Sequence, residues 1–153
     1  MLTQAEVNAI ITRLRKIQTG TQANIKNDLR EGANFLASAI KGRTPVGSRI
    51  HKRYKAGGRR AAKGAGVVVA TYRPGNLRKS FQVLPLRRTK SALYVGPKYG
   101  RTPDGYYAHM VEFGTKYNPS QPFVGPTVAS VGPVAQRFIL NALQQRVKNI
   151  WEQ

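Results

Sequence analysis

Apolar residues recur at helical spacing through the N-terminal part of the chain. Thr3 and Glu6 match a capping box, which predicts that a helix begins there. Two apolar stripes follow: Val7, Ile10, Ile11, Leu14 and Ile17, then Ile25, Leu29, Ala33, Leu36 and Ile40. Gly20 lies between the stripes as a candidate break, and Gly42 stands where a C-cap glycine belongs. The pattern predicts one long helix or two consecutive helices over residues 3–41.

A second helical pattern occupies the C-terminal part of the chain. It begins at Val128, or at Val134 at the latest, and continues to the end of the sequence. Its apolar stripe consists of Val134, Phe138, Ile139, Ala142, Leu143, Val147 and Ile150. The polar residues that lie largely on the other face are Gln144, Gln145, Arg146 and Lys148. The pattern is typical of an amphipathic helix that buries one side.

Short β-prone and turn-forming segments lie between the two helical patterns. Residues 67–72 are β-prone, and residues 81–86 and 92–96 predict an antiparallel hairpin around a polar turn. Residues 106–113 fit a short helix, whereas residues 114–126 follow no regular pattern. Helices on one side of a hairpin are the simplest arrangement of these elements. We therefore expect an α+β fold, in which a small antiparallel sheet is packed by the N-terminal and C-terminal helices.

The charge distribution adds a feature to the middle of the chain. There are 26 Lys and Arg against 6 Asp and Glu, a formal net charge of +20, and no acid occurs between Glu31 and Asp104. Within one domain over residues 1–153, we expect residues 47–66 to form a long, basic and mobile insertion, because like charges repel and glycine adds chain entropy. Such a field attracts nucleic acid, an anionic membrane surface or an acidic protein. The cations expected to contact DNA or a partner protein are Arg49, Lys52, Arg53, Lys55, Arg59, Arg60 and Lys63.

Residues suited to catalysis are scarce. The chain has no cysteine and two histidines. His109 and Glu112 offer two ligands where a metal site needs three or four, so we interpret them as a surface or interface pair. We expect no enzymatic activity, no cofactor and no metal. Tyr54 and Tyr72 suit either base stacking or packing. No apolar run approaches the roughly 18 residues of a membrane span, so no membrane partner is expected.

Four short motifs follow one another along the chain. Tyr107–Thr115 reads Tyr-Ala-His-Met-Val-Glu-Phe-Gly-Thr, and Gln121–Thr127 reads Gln-Pro-Phe-Val-Gly-Pro-Thr. Upstream, Thr44–Gly47 and Gly75–Phe81 read Thr-Pro-Val-Gly and Gly-Asn-Leu-Arg-Lys-Ser-Phe. Together and in this order they resemble the signature of the gp10-like tail-component family of tailed bacteriophages. The basic run splits the upstream element in two, and the family's usual Ala after the last proline is missing.

The resemblance implies a structural virion protein of the phage neck, which joins the head connector to the tail as a tail-completion protein and is assembled in the bacterial cytoplasm. It also implies a homo-oligomeric ring, most often of six subunits, that contacts neighbouring neck and tail proteins. Genomic double-stranded DNA in the lumen would be bound through phosphates, without base readout. The basic run would face either this DNA or an acidic partner surface. A tail terminator, a portal-proximal adaptor ring and a free, non-specific nucleic-acid-binding protein remain alternatives.

The residues that carry the resemblance are expected to shape the subunit. They are Leu77, Tyr107, Ala108, Glu112, Gly114, Thr115, Pro122, Phe123 and Pro126. Gly114 permits a positive φ and a sharp turn, whereas Pro122 and Pro126 stiffen the approach to the last helix. Phe123 is suited to an apolar anchor between the prolines. Glu112 is one of few acids, and we expect it to accept a charge-assisted hydrogen bond from an arginine or from backbone amides.

Overall fold

The computed structural model describes residues 3–54, 68–86, 89, 92–100 and 102–152 of the chain. The helices are α1 (Gln4–Arg43), α2 (Asn76–Ser80), α3 (Ala108–Phe113) and α4 (Val124–Trp151). The strands are β1 (His51–Tyr54), β2 (Val68–Tyr72), β3 (Phe81–Pro85) and β4 (Leu93–Pro97). Long helices at both ends with antiparallel strands between them confirm the predicted α+β class.

Helix α1 is continuous and begins at the predicted capping box. The backbone N–H of Glu6 donates to the Thr3 hydroxyl, and the Glu6 carboxylate accepts from the backbone N–H of Thr3 at 2.7 Å. The predicted break at Gly20 is wrong, because a glycine costs a helix only about 1 kcal/mol. That position lies against α4, where a Cβ on Gly20 would be 2.9 Å from the Ile150 side chain.

Helix α4 lies antiparallel to α1 and contacts it along most of its length. Near the middle of α1, a Cβ on Gly32 would lie 2.6 Å from the carbonyl oxygen of Ala135, so the two backbones approach closely there. Further along, the guanidinium of Arg146 donates to both oxygens of Asp28, at 2.7 and 2.5 Å. Arg146 was predicted to lie on the outer face of the helix. It faces α1 because the Asp28 carboxylate is buried and needs a charged partner.

The strands form two separate antiparallel hairpins rather than one small sheet. Strand β3 pairs with β4, with Phe81 opposite Pro97, and β1 pairs with β2, with His51 opposite Tyr72. Strand β1 lies within the predicted mobile insertion at residues 47–66, so residues 51–54 of that insertion are strand rather than loop. Pairing with β2 accounts for this difference, since it gives the basic residues of β1 a partner strand. Residues 55–66 lie outside the described residues.

The buried core lies where the last turns of α1 meet α2, β3, α3 and the start of α4. Its members are Ile40, Leu77, Phe81, Ala108 and Phe123. The rings of Phe81 and Phe123 meet edge to face, with 5.6 Å between their centroids. Helix α4 begins at Val124, several residues before the predicted start, and keeps Pro133 within it. Of the helices in the described ranges, none combines the length and apolar character needed to cross a membrane.

The contact at Gly32 predicts that alanine has opposite effects at two glycines of the same helix. At Gly32 an added methyl group collides with α4, and we expect Gly32→Ala to lower the free energy of unfolding by about 1–3 kcal/mol. Gly42 lies in the last turn of α1, not at its C-cap as predicted, and nothing lies within 4 Å of its Cβ position. Gly42→Ala should therefore stabilise by up to about 1 kcal/mol. Urea denaturation measures both changes, and equal stabilisation would contradict the close contact.

Candidate nucleic-acid and partner interface

Asp104 anchors the β1–β2 hairpin to the loop between β4 and α3. The residue is 3% exposed. One carboxylate oxygen accepts a hydrogen bond from the Tyr72 hydroxyl at 3.0 Å and lies 3.7 Å from the Arg53 guanidinium. The other accepts from the backbone N–H groups of Gly100 at 3.3 Å and Tyr106 at 3.2 Å. A buried carboxylate requires such partners, so these contacts fix the base of the hairpin.

Asn76, the first residue of α2, extends the same network. Its amide group donates to the carbonyl oxygen of Asp104 at 2.6 Å and to the Tyr107 hydroxyl at 3.3 Å. Its amide oxygen accepts from the backbone N–H of Asp104 at 3.2 Å. The hairpin, α2 and the start of α3 are therefore connected through one pair of buried polar side chains.

Three tyrosines pack around this network. The Tyr72 ring lies 5.6 Å from that of Tyr106 and 6.0 Å from that of Tyr107, and the Arg53 guanidinium stands 4.6 Å over Tyr106. Burial raises the pKa of the Tyr72 hydroxyl, which stays protonated and donates to Asp104. Tyr72 is 2% exposed. Of the two sequence-based interpretations of Tyr72, packing is therefore correct, whereas Tyr54 is exposed.

The described cations of the basic run differ in their surroundings. Arg49 is exposed and precedes β1. Lys52 is exposed in β1 opposite Thr71, on the other face of the strand from Arg53, because successive side chains of a strand alternate. Arg53 is half-exposed and in contact with Asp104 and Tyr106. The remaining predicted cations, Lys55, Arg59, Arg60 and Lys63, lie outside the described residues.

Sequence reasoning missed Asp104 and Asn76. The signal for Asp104 was present, since it is the single acid between Glu31 and Glu112 in a strongly basic chain. Because its charge is buried and compensated, the surface near the hairpin carries exposed cations from two segments: Arg49, Lys52, Arg73 and Lys79. This exposed part of the chain has the electrostatic sign of a polyanion-binding surface.

The carboxylate of Glu112 caps the N-terminus of α4. It accepts hydrogen bonds from the backbone N–H groups of Phe123 at 2.8 Å, Val124 at 2.9 Å and Gly125 at 2.8 Å. Of the two partners expected for Glu112, an arginine or backbone amides, the structure shows the amides. Partial burial raises the pKa of this carboxyl group, but the three N–H donors outweigh it, and the net pKa lies below its ordinary value.

The turn between α3 and α4 is fixed by further hydrogen bonds. Gly114 has a φ of +77°, as predicted from its place in the motif. The Thr115 hydroxyl accepts from the backbone N–H groups of Tyr117 at 3.3 Å and Asn118 at 3.1 Å. The backbone N–H of Gln121 donates to the Val111 carbonyl at 2.8 Å. The result is a rigid turn that leads from α3 into α4.

The other signature residues lie in the core or at the start of α4. Leu77, Ala108 and Phe123 are buried in the core, and Tyr107 packs against it. Pro122 is exposed before α4, whereas Pro126 lies in its first turn, where the missing N–H of proline is tolerated.

The predicted pairing of His109 with Glu112 is wrong. His109 is exposed, and within the described residues no ion pair joins it to Glu112. The backbone of α4 takes the carboxylate instead. The described ranges also hold no cluster of three metal-ligating side chains.

Comparison with known families agrees with this arrangement of fold and turn. The family model described as "Bacteriophage HK97-gp10, putative tail-component" matches residues 8–114, which span α1 through the glycine of the signature turn. This match covers more than half of the chain, and the chain belongs to that family of phage tail components. It is accordingly a phage structural protein, found in the virion together with other tail proteins. No curated protein and no solved structure matches the chain significantly.

The cap on α4 predicts a pH-dependent contribution to stability. Because the folded-state pKa of Glu112 is lowered, its contribution is fully present above the unfolded value of about 4.3 and is lost as pH falls through the folded value. We expect Glu112→Ala to cost about 1–3 kcal/mol at pH 7 and much less in acid. Urea denaturation across pH measures this, with Glu31→Ala on exposed α1 surface as control. If Glu112→Ala lowered the free energy of unfolding equally at every pH, the charged cap would be contradicted.

Proposed function

We propose that this chain forms a ring in the neck of a tailed phage and joins the head connector to the tail, as a tail-completion protein around the DNA channel. The observation that carries the proposal is that the cations of the hairpin are exposed, whereas the acids near them are used inside the fold. Exposed cations lie on and beside the β1–β2 hairpin as well as on the helices, whereas the described acids near the hairpin are buried or cap a helix. A positive hairpin held rigidly on Asp104 suits a lumen that DNA phosphates pass.

A structural rather than enzymatic role is part of the proposal. Two of the groups that could serve in catalysis, Asp104 and Glu112, are bound by hydrogen-bond donors of the chain itself. Among the described residues, no carboxylate forms an ion pair with His109 that could orient it as a base. Asp104 and Glu112 therefore already act in the fold.

A ring of this kind is built from one heterologous contact repeated around an axis, most often six times in this family type. The neighbours in the neck and tail would meet its outer faces. Tail terminator and portal-proximal adaptor remain the alternative positions, because small α+β rings serve at each of them.

Microscopy tests the proposed ring directly. We expect negative-stain images of the purified protein, alone or with its partner rings, to contain closed rings. Cryo-electron microscopy of the encoding phage should locate the chain at the neck. Purified virions that lack the chain would contradict the proposal and favour a free nucleic-acid-binding protein, which the net charge of +20 also suits.

The role of the hairpin predicts a change in salt dependence of DNA binding. Each phosphate contact contributes about 0.9 to the slope of log K against log salt, so Arg49→Ala with Lys52→Ala should reduce that slope by about 2. Fluorescence anisotropy with a duplex of arbitrary sequence measures it. The matched control, Arg15→Ala with Lys16→Ala on α1, removes the same charge and should change the slope much less. Equal effects of both pairs would show that the hairpin is not the contact.

A further inference from the structure

The two faces of the β1–β2 hairpin have different surroundings. One of them, the inner face, consists of His51, Arg53, Ala70 and Tyr72, because His51 pairs with Tyr72 and Arg53 pairs with Ala70. This face meets the loop between β4 and α3, where Tyr72 is buried and the Arg53 guanidinium stands over the Tyr106 ring. Arg53 and Tyr72 therefore have partners within the chain.

The opposite side, the outer face, consists of Lys52, Tyr54, Val68 and Thr71. Lys52 pairs with Thr71, and Tyr54 pairs with Val68. The extra residue at the irregularity in the pairing, Val69, belongs to β2, so the alternation of side chains along β1 is intact. All four residues of the outer face are exposed, and no described carboxylate forms an ion pair with Lys52.

The side chains of the outer face suit the phosphates of duplex DNA. Lys52 supplies a positive charge, and the hydroxyls of Tyr54 and Thr71 are donors of the kind that bind DNA phosphates in other proteins. Single-stranded nucleic acid is instead bound by several aromatic side chains on which successive bases stack. Of the four residues of the outer face, only Tyr54 is aromatic, so a duplex fits this face better than a single strand.

Arg53 differs from Lys52, although the two are neighbours in the sequence. Its guanidinium lies 3.7 Å from the carboxylate of Asp104, which is buried. DNA binding depends on salt because a protein cation replaces a counterion at a phosphate, and Arg53 would have to leave Asp104 to do so. A buried carboxylate that loses its cation is costly. Arg53 therefore stays on the inner face and holds the hairpin in position.

We infer that duplex DNA binds to the outer face of the hairpin, where Lys52, Tyr54 and Thr71 contact phosphates, and that Arg53 is a positioning residue on the inner face. The inference rests on the proposed function for the presence of DNA beside the hairpin. It deepens that proposal by assigning the side of the hairpin that DNA meets. It also departs from the sequence-based prediction, in which Lys52 and Arg53 are contacts of the same kind.

Two matched substitutions in the full chain test this assignment. Lys52→Gln and Arg53→Gln each remove one positive charge, at adjacent positions of β1, and Arg53→Gln keeps a hydrogen-bond donor for Asp104. Fluorescence anisotropy with a duplex of arbitrary sequence gives the slope of log K against log salt. We expect Lys52→Gln to reduce that slope by about 0.9 and Arg53→Gln to leave it unchanged. Equal reductions, or a reduction by Arg53→Gln alone, overturn the inference.

An uncharged substitution provides a second measurement. Tyr54→Phe removes a hydroxyl and no charge, so the affinity for the duplex should fall by about 2- to 10-fold at every salt concentration while the slope stays the same. Tyr117→Phe, at another exposed tyrosine, is the control and should bind as the natural chain does. Urea denaturation shows whether each variant is folded. Unchanged affinity in folded Tyr54→Phe overturns the contact at this hydroxyl.

The outcomes separate this inference from the proposed function. Rings in the neck, combined with equal slopes for the two glutamine variants, overturn the inference and leave the ring. The expected slopes for a chain that purified virions lack support the inference and contradict the position in the neck. Tighter binding to a single strand than to the duplex overturns the inference. Outer-face variants that all bind the duplex as the natural chain does also overturn it, and an acidic protein is then the partner to test.

Discussion

The bond between the Glu112 carboxylate and the first backbone N–H groups of α4 is the contact on which the other features of the subunit depend. A helix leaves these N–H groups without partners inside itself, and Glu112 supplies one acceptor for three of them. The same contact holds Phe123 in the core against Phe81 and sets where α4 begins. From that point α4 runs back along α1 and reaches Asp28.

Asp104 has a similar structural role at the base of the β1–β2 hairpin. It connects the basic hairpin to α2 and to the start of α3 through Tyr72 and Asn76. The two acids of the central region therefore act inside the fold, and neither offsets the exposed cations near the hairpin. The hairpin therefore presents exposed cations that no nearby described acid offsets, which suits the contact with DNA that we propose.

Sequence patterns predicted the parts of the fold that depend on neighbours along the chain. The helical spacing and the capping box at Thr3 located α1, and alternation with turn residues located the β3–β4 hairpin. The motif at residues 107–115 predicted the positive φ of Gly114, and it predicted a hydrogen-bonded Glu112 without deciding between an arginine and backbone amides as its partner. The same reasoning failed where a distant segment decides. Gly20 continues the helix because Ile150 packs there, and β1 forms within the basic run because β2 pairs with it.

The sequence by itself determined the α+β class, the two long helices, the family and the positive field, because periodicity, motif order and net charge are local or additive properties. Only the tertiary structure decided which face of each helix is buried. Ile10, Ile11 and Leu14 have the spacing of a core stripe and are exposed, and α4 carries exposed Leu140, Val147 and Trp151 beside its α1 contact. Arg146 lies inside rather than outside because Asp28 is buried opposite it. Burial depends on which surfaces meet, and no single segment contains that information.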